Sequence, residues 1–362
     1  MTDPGAAAGG GYLHMLPMYL PEGMTVTAMS AAMLPWGSPA YLGALGTTPE
    51  GDPVLAATLE WPVNWLRTTD PVPKFDREWL QLRRYNADQA LAVGAHAFAS
   101  ILPGDDPPDA VVTTDGGSIG VEATSLTIEP RRAVHGLFVD LRARLVAQDP
   151  VIFAKLRGHV IYVWFTDPLD DGLARPFRRS DDEAIGGLVT ELASYEPQSQ
   201  QMWVPTGLMP EQAPALPIGE TDGGAKFYAI PIVAAAPSSM LFTIAGFEIG
   251  LAFTTTLTAQ SAWSEIQRLV DDHDQPGVDL LLITAGGPDQ RGNVFPVEEA
   301  LFQFLITNPI GLTRTPDYIQ RVVLHSWGTG SAHQIHPTMV HAFGPLYQSM
   351  VPLHHPLRVG DA

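Results

Sequence analysis

The chain reads as an α/β protein, with helices alternating with buried strands around a mixed central sheet. Three observations predict this. Val134, Leu137, Phe138, Leu141 and Leu145 recur at i, i+3, i+4, i+7 and i+11, the spacing of one helix face. Residues 159–165 and 278–284 are short, β-prone or apolar runs of the kind that fill buried strands. Between residues 108 and 124, two short apolar segments flank Asp115-Gly116-Gly117, a tight-turn sequence that predicts a hairpin. At 362 residues the chain can bury a large core and has room for two domains. A hydrophobic fraction of 45% and a charged fraction of 16% suit a folded chain rather than a disordered one.

Residues 1–66 are rich in Gly, Ala, Pro and Met and contain no Lys or Arg. They read as an N-terminal arm whose residues 5–11 form a flexible start, with a strand expected over 54–59. Met15, Met18, Met24, Met29 and Met33 follow neither a helical nor a strand period. Their thioethers suit ordinary core filling, or adaptable packing against a protein partner or a second copy of the chain. Residues 78–102 suit one helix or two, with Trp79, Leu82, Leu91 and Phe98 as the apolar positions. A Pro- and Gly-rich stretch, 103–108, then breaks the chain, and the hairpin, the 134–145 helix and the 159–165 strand follow.

The second half has similar elements without a sequence repeat. Ile185, Leu188, Val189 and Leu192 mark a helix, and strands are expected over 227–234 and 240–256. Ala259, Ala262, Trp263, Ile266 and Val270 mark another helix, with Thr258 as its N-cap. Residues 278–284 form a buried strand, Val297, Ala300, Leu301 and Phe304 mark a helix, and 321–325 forms a last strand.

Composition bounds the chemistry. The absence of cysteine excludes disulfides, thiolate zinc sites and a cysteine nucleophile. The start has no basic segment followed by an apolar one, and no apolar run is long enough for a bilayer, so the expected home is the cytoplasm. A net charge of −19 argues against nucleic-acid binding, because phosphates must be neutralised. The distribution softens that argument: 14 of the 20 basic residues fall in 67–180, the segment that holds the hairpin.

That hairpin is the strongest functional signal. Asp109 opens its first strand and Glu122 lies near the end of its second, so folding brings two carboxylates side by side. Converging carboxylates on rigid strands form a hard-oxygen site of the kind that holds Mg²⁺ or Mn²⁺. The plainer alternative is a surface hairpin in which Asp109 caps a loop and Glu122 faces solvent.

The order helix, hairpin, helix, strand over 78–166, with Pro108-Asp109 and Glu122-Ala123-Thr124, resembles the core of the PD-(D/E)XK nuclease superfamily in a divergent Glu-x-Thr form. The resemblance implies a restriction-endonuclease-like core at 67–180, with a second α/β portion at 181–362 extending or flanking the same sheet. It implies Mg²⁺-dependent phosphodiester hydrolysis of nucleic acid. Asp109, Glu122 and the backbone carbonyl of Ala123 would be the metal ligands, Glu78 on the preceding helix the additional acid, and Thr124 the residue at the catalytic lysine position.

Three departures accompany it. Thr124 cannot supply the positive charge that the lysine places beside the developing phosphorane; Lys155, Arg131 and Arg132 are the candidates for replacing it. The family's extra strand before the Pro-Asp has only a faint counterpart near Ile101. Pro-Asp itself recurs at Pro288-Asp289 and Pro316-Asp317. The rival reading is a non-catalytic binding or assembly protein that keeps the fold without the chemistry.

Other constellations read as structural. His325, His333, His336, His341, His354 and His355 crowd the C-terminal end, where Gly328, Gly330 and Pro337 disfavour a helical metal site. Residues 326–331 lack the central serine of a nucleophile elbow. Residues 285–288 lack the lysine and spacing of a P-loop. Asp271, Asp272 and Asp274 read as solvating a helix end.

Overall fold

The computed structural model describes residues 23–33, 39–60, 62–64, 66, 70–105, 107–165, 181–197, 219–220, 226–231, 242–251 and 255–337. In chain order, strands β1 (Thr25–Met33), β2 (Pro39–Thr47), β3 (Pro53–Glu60) and β4 (Val63–Asn64) precede helix α1 (Lys74–Val93). Strands β5 (Ser100–Pro103), β6 (Ala110–Thr114) and β7 (Gly117–Leu126) lead into α2 (Glu129–Val146) and a 3-10 segment, Pro150–Leu156. Next come β8 (His159–Trp164), α3 (Asp181–Ser194), β9 (Gly219–Glu220), β10 (Lys226–Pro231), β11 (Phe242–Ile244), β12 (Phe247–Leu251) and β13 (Thr255–Thr258). The described chain ends with α4 (Ala259–His273), β14 (Leu280–Ala285), β15 (Asn293–Val294), α5 (Pro296–Thr307), β16 (Arg321–Ser326) and β17 (Ala332–His336).

These elements make a mixed α/β fold. The largest sheet runs β17-β16-β14-β7-β6-β5. Its middle is parallel, with Leu282 opposite both Ala123 and Val323, and both ends are antiparallel. β14 is buried at every position. Leu280 and Leu282 pack with Leu82 and Tyr85 of α1 on one face, while Leu281 and Ile283 pack with Ile266 of α4 and Leu301 of α5 on the other. A strand covered by helices on both sides reads as continuous apolar sequence, as 280–285 does.

The expected hairpin is present. Thr114 pairs with Gly117 across a two-residue Asp115-Gly116 turn, and the Thr114 hydroxyl accepts the Gly116 N–H and donates to the Gly117 carbonyl. β5 at Ile101 pairs with β6 and supplies the strand that the sequence only hinted at. α4 starts where Thr258 Oγ1 accepts the Ser261 N–H at 3.1 Å.

One strand takes a different place from that expected. Residues 159–165, expected as a buried strand of the nuclease-like core, form β8 at the centre of a separate sheet, β11-β12-β8-β10-β9. The place beside β7 belongs to β14, which follows α4 directly. Both runs are apolar, and composition does not name a strand's neighbour. β14 and β16, beyond residue 180, extend the sheet that holds β7. A segment between β7 and β13 has its own core of Val134, Phe138, Leu141, Phe153, Leu188, Phe227 and Ile249 among others.

Residues 1–66 are not simply an arm either. β1, β2 and β3 form an antiparallel sheet closed by β13, and Leu55 and Ala57 lie in the same core as α4 and α5. The Gly-rich start, Met15 and Met18 fall outside the described residues.

Candidate metal centre

Ala110 pairs with Val121, so one rung further Asp109 lies opposite Glu122. Both are buried, at 7% and 4% exposure, which overturns the solvent-facing alternative. Asp109 Oδ2 accepts the Ala123 N–H at 2.9 Å, substituting for a backbone acceptor at the start of the ladder. Its own backbone carbonyl accepts the Gly104 N–H at 3.0 Å. A β-carbon at position 104 would lie 1.9 Å from the Pro108 carbonyl oxygen. Glycine there is what lets the β5–β6 connection close tightly enough to hold Asp109 in place.

Burial pushes the Glu122 carboxyl up to about 8, and the charge of Asp109 and a hydrogen bond to it add to the shift. At neutral pH the pair shares a proton, with Glu122 donating to Asp109. Glu78 of α1 is the third acid. It is 8% exposed, and burial and Asp109 raise its pKa. Lys74 opposes both shifts and pairs with Glu78 at 3.1 Å.

Two carboxylates with open coordination positions are the usual protein share of a Mg²⁺ site, water supplying the rest. The residues present fit such an ion: a divalent cation would replace the shared proton and relieve the repulsion that raises Glu122. Among the described residues no group of three or more acidic or histidine side chains is placed to hold a metal ion together, so Glu78 does not join Asp109 and Glu122 as a third ligand. Thr124 lies two residues beyond Glu122, on the same sheet face by strand alternation.

The cations proposed from sequence have other partners. Lys155 pairs with Glu196 at 3.0 Å. Arg131 is 3% exposed and donates to the Ala57 carbonyl at 3.2 Å. Arg132 forks onto Glu298 at 2.8 and 2.7 Å. The positive charge acting on the acids comes instead from Lys74 and, for Glu78, also from Arg77. Sequence reasoning missed both, and missed Gln81, whose Nε2 donates to Ser125 Oγ on β7 at 2.8 Å. The available signal was the helical spacing of Lys74, Glu78 and Gln81 ahead of the buried Leu82 and Tyr85.

A second polar cluster lies at the other end of α1. His325 is fully buried, with Nε2 3.0 Å from Asp88 Oδ2, and Asp88 also pairs with Arg84 at 2.8 Å. Burial holds the His325 pKa below its ordinary value. Ser326 is hydrogen-bonded to Glu299 and Thr329, and Glu299 also accepts the Gly328 N–H. Residues 326–331 are thus a turn locked around a buried carboxyl, with Ser326 facing Glu299 rather than a histidine base.

The remaining motifs are also structural. Asp274 accepts three backbone N–H groups from 317–319, and Asp271 and Asp272 pair with Arg314 and Arg268. His341, His354 and His355 lie outside the described residues.

Comparison with protein-family models, curated proteins and solved structures returns no match. Among the described residues no helix is long and apolar enough to cross a membrane.

Proposed function

We propose that this chain is a divergent metal-dependent nuclease of the PD-(D/E)XK kind, acting in the cytoplasm on nucleic acid. The observation that carries the reading is the buried, hydrogen-bonded Asp109–Glu122 pair at the mouth of a hairpin. The order of elements supports it. α1, β5, the β6–β7 hairpin, a crossover ending in α4, and the parallel strand β14 follow the helix, strand, hairpin, helix, strand sequence that the resemblance implies. The segment with its own core is then an insertion into the crossover.

Asp109, Glu122 and the Ala123 carbonyl would hold Mg²⁺ or Mn²⁺, with Glu78 beside them. The ion would lower the pKa of a bound water and neutralise charge on the scissile phosphate. Lys74, rather than Thr124, would supply the cationic charge near the reacting phosphate.

The test is cleavage of single-stranded DNA, duplex DNA and RNA with Mg²⁺ or Mn²⁺. Activity should require metal and fall at least about 10²-fold in Asp109→Asn and Glu122→Gln, with circular dichroism unchanged. Cleavage that persists in both variants, or no cleavage of any substrate, overturns the reading. Metal-independent nucleic-acid binding without cleavage would instead favour the non-catalytic binding-protein alternative, which the neutral Thr124 supports.

A further inference from the structure

Helix α1 carries an aromatic column beside the candidate metal centre. Phe75, Trp79 and Arg83 follow one another at i, i+4 and i+8, so their side chains lie one above the next along the helix. The Phe75 and Trp79 rings stack, with centroids 5.7 Å apart and planes inclined by 25°. The Arg83 guanidinium lies 5.8 Å from the Trp79 ring centre. We propose that this column is a stacking platform for the bases of a single nucleic-acid strand. Naming that strand as the substrate of the Asp109–Glu122 pair rests on the nuclease reading; the stacking itself does not.

The column is anchored in the middle and open at one end. Trp79 is partly buried against the core that α1 shares with the sheet, whereas Phe75, at the N-terminal end, is 48% exposed. A large apolar ring left in water, already stacked on an anchored neighbour, offers a flat surface of fixed orientation to a further ring. Arg83 is also exposed and makes no ion pair among the described residues. Its neighbours Lys74 and Arg84 are matched to Glu78 and Asp88. A guanidinium lying against an aromatic ring stacks on bases as well, and its N–H fork remains suited to a phosphate.

Position and charge identify the occupant. Phe75 and Trp79 alternate along α1 with Lys74 and Glu78, and Glu78 feels the charge of Asp109. A strand stacked on the column would therefore run beside the carboxylate pair. With a net charge of −19 the chain has no dense basic surface from which to draw affinity by neutralising phosphates. Base–aromatic stacking supplies affinity without one and tolerates any sequence, because every base has a π-face. A duplex keeps its base faces inside the helix, so only an unpaired strand can use the column.

The experiment measures binding to the full chain in EDTA by fluorescence anisotropy. Three labelled probes of equal length are compared: an oligothymidylate, the same backbone built of abasic sites, and a duplex. The oligothymidylate should bind about tenfold more tightly than either of the others. Phe75→Ala should weaken its binding about tenfold and leave the abasic strand unaffected. Phe75→Trp should preserve binding, whereas Phe75→Leu, apolar but not flat, should not. Val151→Ala removes exposed apolar surface from the segment that carries β8 and should change nothing.

Equal binding of the oligothymidylate and the abasic strand, duplex binding as tight as single-strand binding, or an affinity unmoved by Phe75→Ala overturns the platform. So does failure of every probe to bind. Stacking-dependent binding without metal-dependent cleavage keeps the platform and overturns the nuclease reading. Metal-dependent cleavage with single-strand affinity unmoved by Phe75→Ala does the reverse.

Discussion

Glu122 keeps its proton until about pH 8 because it is buried against Asp109. In the unfolded chain an ordinary glutamate loses its proton near 4.5. Between those values the folded state binds a proton that the unfolded state does not. Its contribution to stability is therefore fully present below about 4.5 and is lost as pH rises through about 8. Glu299, pushed up to about 7 by burial, acts in the same direction over an overlapping window. The difference between wild type and Glu122→Gln, rather than the wild-type curve alone, isolates the pair.

Without metal, Glu122→Gln should be the more stable protein at about pH 8.5, by roughly 2 kcal/mol, with the gap closing toward pH 5. At the proposed metal site Mg²⁺ would compete with the shared proton, so its stabilisation of wild type should grow with pH and vanish in the variant. Thermal melts at several pH values, with and without Mg²⁺, check both signs. Parallel melting curves for the two proteins would refute the shared proton. Gly104→Ala tests the geometry from the other side. The added methyl must displace Pro108, at a cost of about 1–3 kcal/mol, and should weaken the Mg²⁺ shift more than a core substitution of equal cost.

At the scale of elements, α1 positions the site because both of its ends are tied to the sheet. Its first turns carry Lys74 and Glu78, and its last full turn places Asp88 on His325 of β16. His325 Nδ1 already lacks a partner. Asp88→Ala would leave both ring nitrogens unpaired in the interior and strand Arg84, at a cost of about 3 kcal/mol. Urea denaturation measures this. A loss under about 0.5 kcal/mol would mean the contact does not anchor the helix.

How much of each element could be read from sequence follows from where its partners lie. α4 was legible because its apolar stripe and Thr258 cap are local properties. The hairpin was legible because Asp115-Gly116 dictates its own turn. β8 was recognised as a strand but given the wrong sheet, since β7 finds its neighbour in β14, across an intervening folded segment. β1 and β2 were missed because small residues and methionines obscure a period-2 pattern that cross-strand packing satisfies. At the site, Asp109 and Glu122 were visible through the turn that joins them. Lys74 and Arg77 were not, because their relation to the acids depends on how α1 lies over the sheet.

At the scale of the whole molecule, the main sheet and the β8 sheet have separate interiors. Among the described residues, the clusters around β14 draw none from between Ile128 and Leu257, whereas the cluster around β8 draws on residues from Val134 to Leu251. α2 joins them. Its first turn is bound to the main body through Arg132 and Glu298, and its apolar face belongs to the other core. Two interiors joined through one helix should unfold as two cooperative units.

Leu141→Ala removes volume from the β8 core, and Leu282→Ala removes it from the main core, each at about 2–5 kcal/mol. Leu141→Ala should lower a first calorimetric transition and speed amide exchange in β8, β10 and β12, leaving β14 and β16 protected. Leu282→Ala should do the reverse and also weaken Mg²⁺ binding, because only the main sheet holds Asp109 and Glu122. If both substitutions shift one common transition by the same amount and accelerate exchange everywhere, the two interiors are thermodynamically one. The segment between β7 and β13 would then be integral to the main fold, and the crossover from β7 to β14 could not be treated as a nuclease-like core carrying an insertion.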